Sequence, residues 1–318
     1  MADPLLEVSG LKMYFQSGKG RVLKAVDGVS FSIGKGKTLG LVGESGCGKT
    51  TVGRTLLRIY EPVGGKIVFG GQDISRVSRQ QSKELTRRMQ MIFQDPYASL
   101  NPFFTVSEII AEGLEIHRLC ASAAEKKERV AELLQMVGLS KDHMNRFPHE
   151  FSGGQRQRVG IARALALNPE FIVCDEAISA LDVSIQAQVV NMLMRFQREL
   201  GLTYLFIAHD LSMVRHIADR TAVMYLGTIV EYGDTAEVYG CPAHPYTQGL
   251  LSAVPVADPD YERCHERIPM DGEVPSPVNP KPGCRFCGRC RRATAVCTEA
   301  APELKEIGQG HWAACHNA

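Results

Sequence analysis

The sequence predicts an α/β fold. Its expected parts are a mixed sheet with helices on both faces, an antiparallel β subdomain, a helical subdomain at about residues 95–165 and a cysteine-rich C-terminal extension. Three observations carry that expectation. Short apolar runs alternate with helix-period segments through the second half of the chain, the pattern of a sheet covered by helices. A glycine-rich loop at residues 43–50 joins a strand pattern to a helix pattern. Five of the ten cysteines lie at or beyond residue 284, after a proline-rich stretch.

Residues 5–15, 22–33 and 37–43 alternate in short apolar runs broken by Gly and Lys, which predicts strands joined by turns. A helix is expected over 50–60, stopped by Pro62 and the Gly64-Gly65 pair, followed by a turn-rich strand pair over 64–74. From about Glu84 to Glu150 the composition turns helical, most clearly at 107–119 and 124–139. The charges of the latter segment read as a solvated helix face. Beyond them the alternation resumes: helix over 153–167, buried strand over 171–176, helix over 183–200, strand over 204–210, helix over 213–220, and paired strands over 221–227 and 228–234. After Gly240 proline-rich segments without periodicity predict a surface-hugging extension, so the domain boundary is placed at 240/241.

Composition narrows the function. With 36 Lys and Arg against 35 Asp and Glu, the net charge is +1, which argues against a nucleic-acid binder relying on a strong positive field. The first ten residues lack a basic stretch followed by an unbroken apolar one, so no secretory signal is expected. A reducing compartment follows, and there clustered thiols favour metal or cluster ligation over disulfides.

Gly43-Glu44-Ser45-Gly46-Cys47-Gly48-Lys49-Thr50 fits G-x-x-x-x-G-K-[ST] in the strand–loop–helix setting that this motif needs. Its glycines let successive N–H groups turn toward phosphate oxygens, Lys49 supplies a point charge for the β- and γ-phosphates, and the Thr50 hydroxyl can ligate Mg²⁺. Thr51 comes next, in the first helical turn. Asp175 and Glu176 end an apolar strand, where the first can hold Mg²⁺ and the second can polarise an attacking water.

Phe151-Ser152-Gly153-Gly154-Gln155 decides the class of phosphate-loop enzyme, because here the chain resembles the ATP-binding subunits of ABC transporters. Ser152 and the Gly153 and Gly154 amides at a helix N-terminus form a second anion site. The resemblance implies that this site, with Gln155, faces the γ-phosphate held by an opposing subunit in a head-to-tail dimer. It further implies a Q-loop glutamine in Gln94 that senses Mg²⁺, a D-loop at Ser179–Asp182 touching the other subunit, and a γ-phosphate switch in His209. The same resemblance implies Phe15 as the adenine-stacking aromatic, with Tyr14 the runner-up. One departure is Asp175-Glu176-Ala177, where the family more often has Asp-Glu-Pro; no catalytic group is lost.

The segment Ala243–Pro255 and the later residues 272–286 are similar to the tails of dipeptide, oligopeptide and nickel importer ATPases, closest to the second, F-type, ATPase of dipeptide importers. That likeness implies ATP-driven peptide import from the cytoplasmic face of the inner membrane. The partners it implies are a second, non-identical ATPase subunit, two permeases and an extracytoplasmic peptide-binding protein, with no nucleic acid. It also implies a [4Fe–4S] cluster on Cys284, Cys290, Cys297 and Cys315. Spacing alone offers another set, since Cys284, Cys287 and Cys290 follow C-x₂-C-x₂-C, and zinc would suit the same thiolates. Competing readings are a soluble ABC ATPase on nucleic acid or ribosomes, a nickel or metal-chelate importer ATPase, and an electron-transfer protein.

Overall fold

The computed structural model describes residues 4–255, 267–270 and 272–318. In chain order the first elements are β1 (Pro4–Gln16), β2 (Val22–Gly34), β3 (Thr38–Val42), α1 (Lys49–Leu56), β4 (Gly64–Phe69), β5 (Gln72–Asp73), α2 (Arg79–Arg88) and β6 (Met89–Ile92). Next come α3 (Pro96–Ser99), α4 (Val106–Ile116), α5 (Ala123–Met136), α6 (Gly153–Leu165), β7 (Phe171–Asp175), α7 (Val183–Leu200) and β8 (Thr203–Ile207). The remainder comprises α8 (Leu211–Ile217), β9 (Arg220–Tyr225), β10 (Thr228–Asp234), α9 (Thr235–Gly240), α10 (Pro245–Ser252), α11 (Ala295–Glu299), β11 (Lys305–Gly308) and β12 (His311–Ala313).

The chain forms two compact units. One holds residues 4–34, 38–76 and the described part of 209–318; the other holds residues 35–37 and 77–208. In the first unit, β1 pairs antiparallel with both β2 and β4, and β4 with β5, which gives the expected antiparallel subdomain. In the same unit β3 pairs parallel with β9, while β9, β10, β12 and β11 continue antiparallel, so this sheet is mixed. In the second unit β6, β7 and β8 are parallel. All five residues of β7 and of β8 are buried, as expected of parallel strands with both faces covered.

Helix α7 shows how local sequence fixes an element. Its apolar residues Val189, Val190, Leu193 and Phe196 recur at helical spacing and are all buried. Gly201 ends it in the left-handed conformation with φ 68°. In the helical subdomain, α4, α5 and α6 bury Ile109, Ile110, Val130, Leu133, Leu134, Val159 and Ile161 against one another.

Four expectations need correction. Residues 89–92 form a strand inside the stretch read as helical: four apolar or half-buried residues pair with β7, a run too short for periodicity to tell strand from buried helix. The helix after the glycine-rich loop ends at Leu56 rather than Tyr60, because Arg58 adopts φ 62° and the Ile59 amide turns back to the Arg54 carbonyl. His209 lies two residues beyond β8 and begins the next segment rather than ending the strand. The chain after Gly240 is not merely surface-hugging. Tyr246 in α10 is fully buried, and β12 adds to the edge of β10 through Glu231 opposite Ala313 and Tyr232 opposite Trp312.

A buried carboxylate joins that tail to the sheet. Glu231 in β10 is completely buried and accepts hydrogen bonds from the Ala243 amide (2.8 Å), the His244 amide (2.9 Å) and the His311 Nε2 (2.8 Å). Burial lowers the His244 pKa to about 4, and its neutral ring accepts from the Tyr246 amide at Nδ1 (3.0 Å), which caps α10.

Candidate functional site

The phosphate loop lies in the first unit, between β3 and α1. Gly43 and Gly48 hold φ values of 150° and 108°, and a Cβ on either would stand 2.1 Å from a backbone oxygen, of Met224 and Ala25 respectively. Only glycine fits there, and the close backbone approach sets the curl of the loop. Lys49 is 4% exposed, and its Nζ donates to the carbonyls of Gly43 (2.8 Å) and Glu44 (2.9 Å). The ammonium thus closes the loop on itself, in place to exchange these carbonyls for phosphate oxygens. Ser45 and Gly46 are exposed at the tip, Thr50 and Thr51 are half-buried, and the Cys47 thiol is buried, which raises its pKa.

The first unit also carries the aromatic candidates. Tyr14 donates its hydroxyl to Asp27, and burial with that bond pushes its pKa up to about 12. Phe15 is half-buried and meets Tyr60 edge-on at 5.3 Å, leaving it the less committed of the pair. His209 is exposed, one residue before Asp210, whose carboxylate caps α8.

The paired carboxylates lie in the second unit. Asp175 ends β7 and is 2% exposed; Glu176, next in the chain, is 7% exposed. Glu176 sits in the left-handed region with φ 48°, a conformation that costs a non-glycine residue on the order of 1 kcal/mol and is concentrated at functional sites. Its backbone is pinned: the amide donates to the Ile207 carbonyl (3.0 Å), and its carbonyl accepts from the Ser179 amide and hydroxyl. Gln94 then donates its side-chain amide to Glu176 Oε2 at 2.6 Å. Two residues that the sequence separates by 82 positions are therefore in direct contact.

The serine–glycine segment opens α6 in the same unit. Ser152 is the N-cap: its hydroxyl accepts from the Gln155 amide (3.3 Å) while Gln155 Oε1 accepts from the Ser152 amide (3.0 Å). Gln155 is thus spent on the cap, whereas Ser152 and Gly153 are exposed. A Cβ on Gly154 would stand 2.7 Å from the Ile185 side chain, so α7 enforces glycine here. Arg156 anchors the helix from below, donating to the Pro148 carbonyl (2.6 Å) with its guanidinium over the Tyr97 ring at 3.6 Å. Asp182 and Val183, which open α7, are exposed.

The cysteines of the tail gather within the first unit. The Cys284 amide donates to the Cys297 carbonyl (2.8 Å), and Cys287 and Cys290 lie on a tight 3₁₀ turn just beyond. Burial, with Cys297, Cys287 and Cys290 as neighbours, pushes the Cys284 pKa up to about 11; Cys315, Cys297 and Cys287 act likewise on Cys290 after burial. Among the described residues, however, no group of three or more His, Cys, Asp or Glu side chains is arranged to hold a metal ion. Cys264 lies outside the described residues.

Two contacts to the phosphate loop escaped sequence reasoning. The Glu44 amide donates to the Tyr246 hydroxyl (2.8 Å), and Arg289 grips the Glu44 carboxylate through both terminal nitrogens (2.9 and 3.1 Å). These partners stand 202 and 245 residues apart, and no local pattern signals them.

Comparison with known proteins gives the family. A model described as ABC transporter matches residues 26–179, and one described as the oligopeptide/dipeptide transporter C-terminal region matches 230–297. The chain is 58% identical to the putative oligopeptide transport ATP-binding protein YkfD of Bacillus subtilis (strain 168), over 98% of this chain and 95% of that one. It is 60% identical to the oligopeptide transport ATP-binding protein OppF of the same organism, over 86% and 90%. AppF, also an oligopeptide transport ATP-binding protein there, is 53% identical over 99% and 97%. Among solved structures, the ATP-binding cassette MJ0796, dimeric in a post-hydrolysis state with ADP and Pi, superposes with a TM-score of 0.67 at 26% identity, over 72% of this chain and 98% of that one. CbiO1 of Clostridium perfringens, part of the complex cbiONQ, gives 0.67 at 27% identity, over 75% and 92%. With identity above one half along nearly the whole of three relatives, and both family regions in order, this chain belongs to the ATP-binding proteins of the oligopeptide/dipeptide ABC transporters.

Proposed function

We propose that this chain is the ATP-hydrolysing subunit of an importer that carries peptides into the cell. The observation that carries this reading is the joint likeness of cassette and tail to relatives named for oligopeptide transport. Among the described residues no helix is long and apolar enough to cross a membrane. The membrane path would then belong to permease partners, and the peptide to an external binding protein.

The residues described at the site account for the chemistry. Gly43, Ser45, Gly46, Cys47, Gly48, Lys49, Thr50 and Thr51 receive the phosphates, with Phe15 on the adenine. Thr50, Gln94 and Asp175 offer the oxygen ligands that suit a hard divalent cation, which when bound spreads the γ-phosphate charge. Glu176, fixed by Gln94, takes the proton of the attacking water, and His209 contacts the γ-phosphate. Ser152, Gly153 and Asp182, exposed as they are, face the partner cassette in a head-to-tail pair. Vesicles carrying the chain with its permeases and a binding protein test the reading. ATP-dependent uptake of labelled di- and oligopeptides is expected; uptake of a nickel chelate alone would overturn the cargo.

The same reading assigns a [4Fe–4S] group to Cys284, Cys290, Cys297 and Cys315, with Cys287 a spare or a substitute. The donor chemistry fits iron–sulfur or zinc, although the side chains are not drawn into a ligand set. No step of hydrolysis is routed through it. Anaerobically purified protein is expected to be brown with about four irons per chain; zinc alone would defeat the assignment.

A further inference from the structure

Glu44 is an oddity in a loop built for anions. It comes directly after Gly43, and an uncompensated carboxylate at that position repels a triphosphate. The structure shows what offsets it. Arg289, with only 8% of its side chain exposed, pairs with both carboxylate oxygens in fork geometry. Arg289 sits at the end of the 3₁₀ turn Cys287–Arg289, and its amide donates to the Phe286 carbonyl (2.9 Å). Phe286 is buried among Tyr225, Tyr246 and His244, so the turn has a fixed seat. The Tyr246 hydroxyl takes the Glu44 amide, and Lys49 takes its carbonyl. The amide, carbonyl and carboxylate of Glu44 are thereby all engaged, two of them by the C-terminal segment.

We infer that Arg289 is a positioning residue for nucleotide binding: it neutralises and orients Glu44, so that the tail keeps the phosphate loop receptive to ATP. This role rests on the ATPase reading proposed for the chain but concerns Arg289, a residue outside the nucleotide motifs.

Nucleotide titration of full-length variants at residues 44 and 289 tests it. Wild type that binds no ATP would sink the ATPase reading itself, independently of any role for Arg289. Arg289→Gln frees the Glu44 charge and is expected to raise the Kd for Mg-ATP on the order of tenfold, less at high salt. Glu44→Gln, with no charge to neutralise, should stay within about threefold of wild type. The double variant should recover most of the affinity lost in Arg289→Gln, which a merely structural role cannot produce. An unchanged Kd in Arg289→Gln overturns the inference. So does a double variant as weak as Arg289→Gln, since the loss would then come from packing. Should Arg289→Gln fail to fold, Arg289→Met, which keeps an apolar stem without the charge, replaces it against the same Glu44→Gln background with the same outcomes expected.

Discussion

Glu176→Gln is expected to bind ATP within about threefold of wild type while turnover falls roughly a hundredfold or more, the usual worth of a positioned general base. The change is isosteric, and the backbone hydrogen bonds to Ile207 and Ser179 that hold the residue at φ 48° do not involve its side chain. The loop therefore survives. What disappears is the acceptor: a carboxamide can hydrogen-bond to Gln94, now 2.6 Å from Oε2, but cannot take a proton from water. Phosphate release and nucleotide titration on the same preparation separate the two effects. Unimpaired turnover would remove Glu176 from its role.

The second large effect is on stability. Glu231→Leu should destabilise the first unit by about 3–5 kcal/mol, because it leaves the buried His244 amide, the half-buried Ala243 amide and the buried His311 ring without their acceptor. Glu231→Gln, which keeps one acceptor oxygen, should cost less. The single tryptophan, Trp312, lies in β12 with its ring 5.5 Å from that of Tyr232, so its fluorescence reports this region during chemical denaturation. A shift below about 1 kcal/mol would mean that the carboxylate is not the joint between tail and sheet.

These expectations differ in how far the sequence foreshadowed them. The phosphate loop was legible because its motif answers local demands: Gly43 and Gly48 stand where a Cβ would strike backbone, and a lysine follows at the fixed spacing. Helix α7 was legible through its apolar period and the glycine that stops it. Strand β6 was not, since four residues cannot display a period. The contact of Gln94 with Glu176 was not foreseen: family likeness implied only that Gln94 senses Mg²⁺, and 82 positions separate the pair. The tail was read worst. Its packing depends on single partners far away in the chain, Glu231 with His311 or Glu44 with Arg289, and such pairs leave no rhythm for a local reading to find.

That long-range dependence bears on biosynthesis. Residues 77–208 run continuously, so their unit has nearly all its own chain once about two thirds of the protein has left the ribosome. The other unit starts with the first strand yet receives β12 and its carboxylate partner only from residues 311–313. Until then a strand edge stands bare and a charged group awaits burial, the condition that invites chaperones or aggregation. A message cut short in the tail before β12 would thus yield a chain with every nucleotide motif, but with the unit that carries the phosphate loop unfinished.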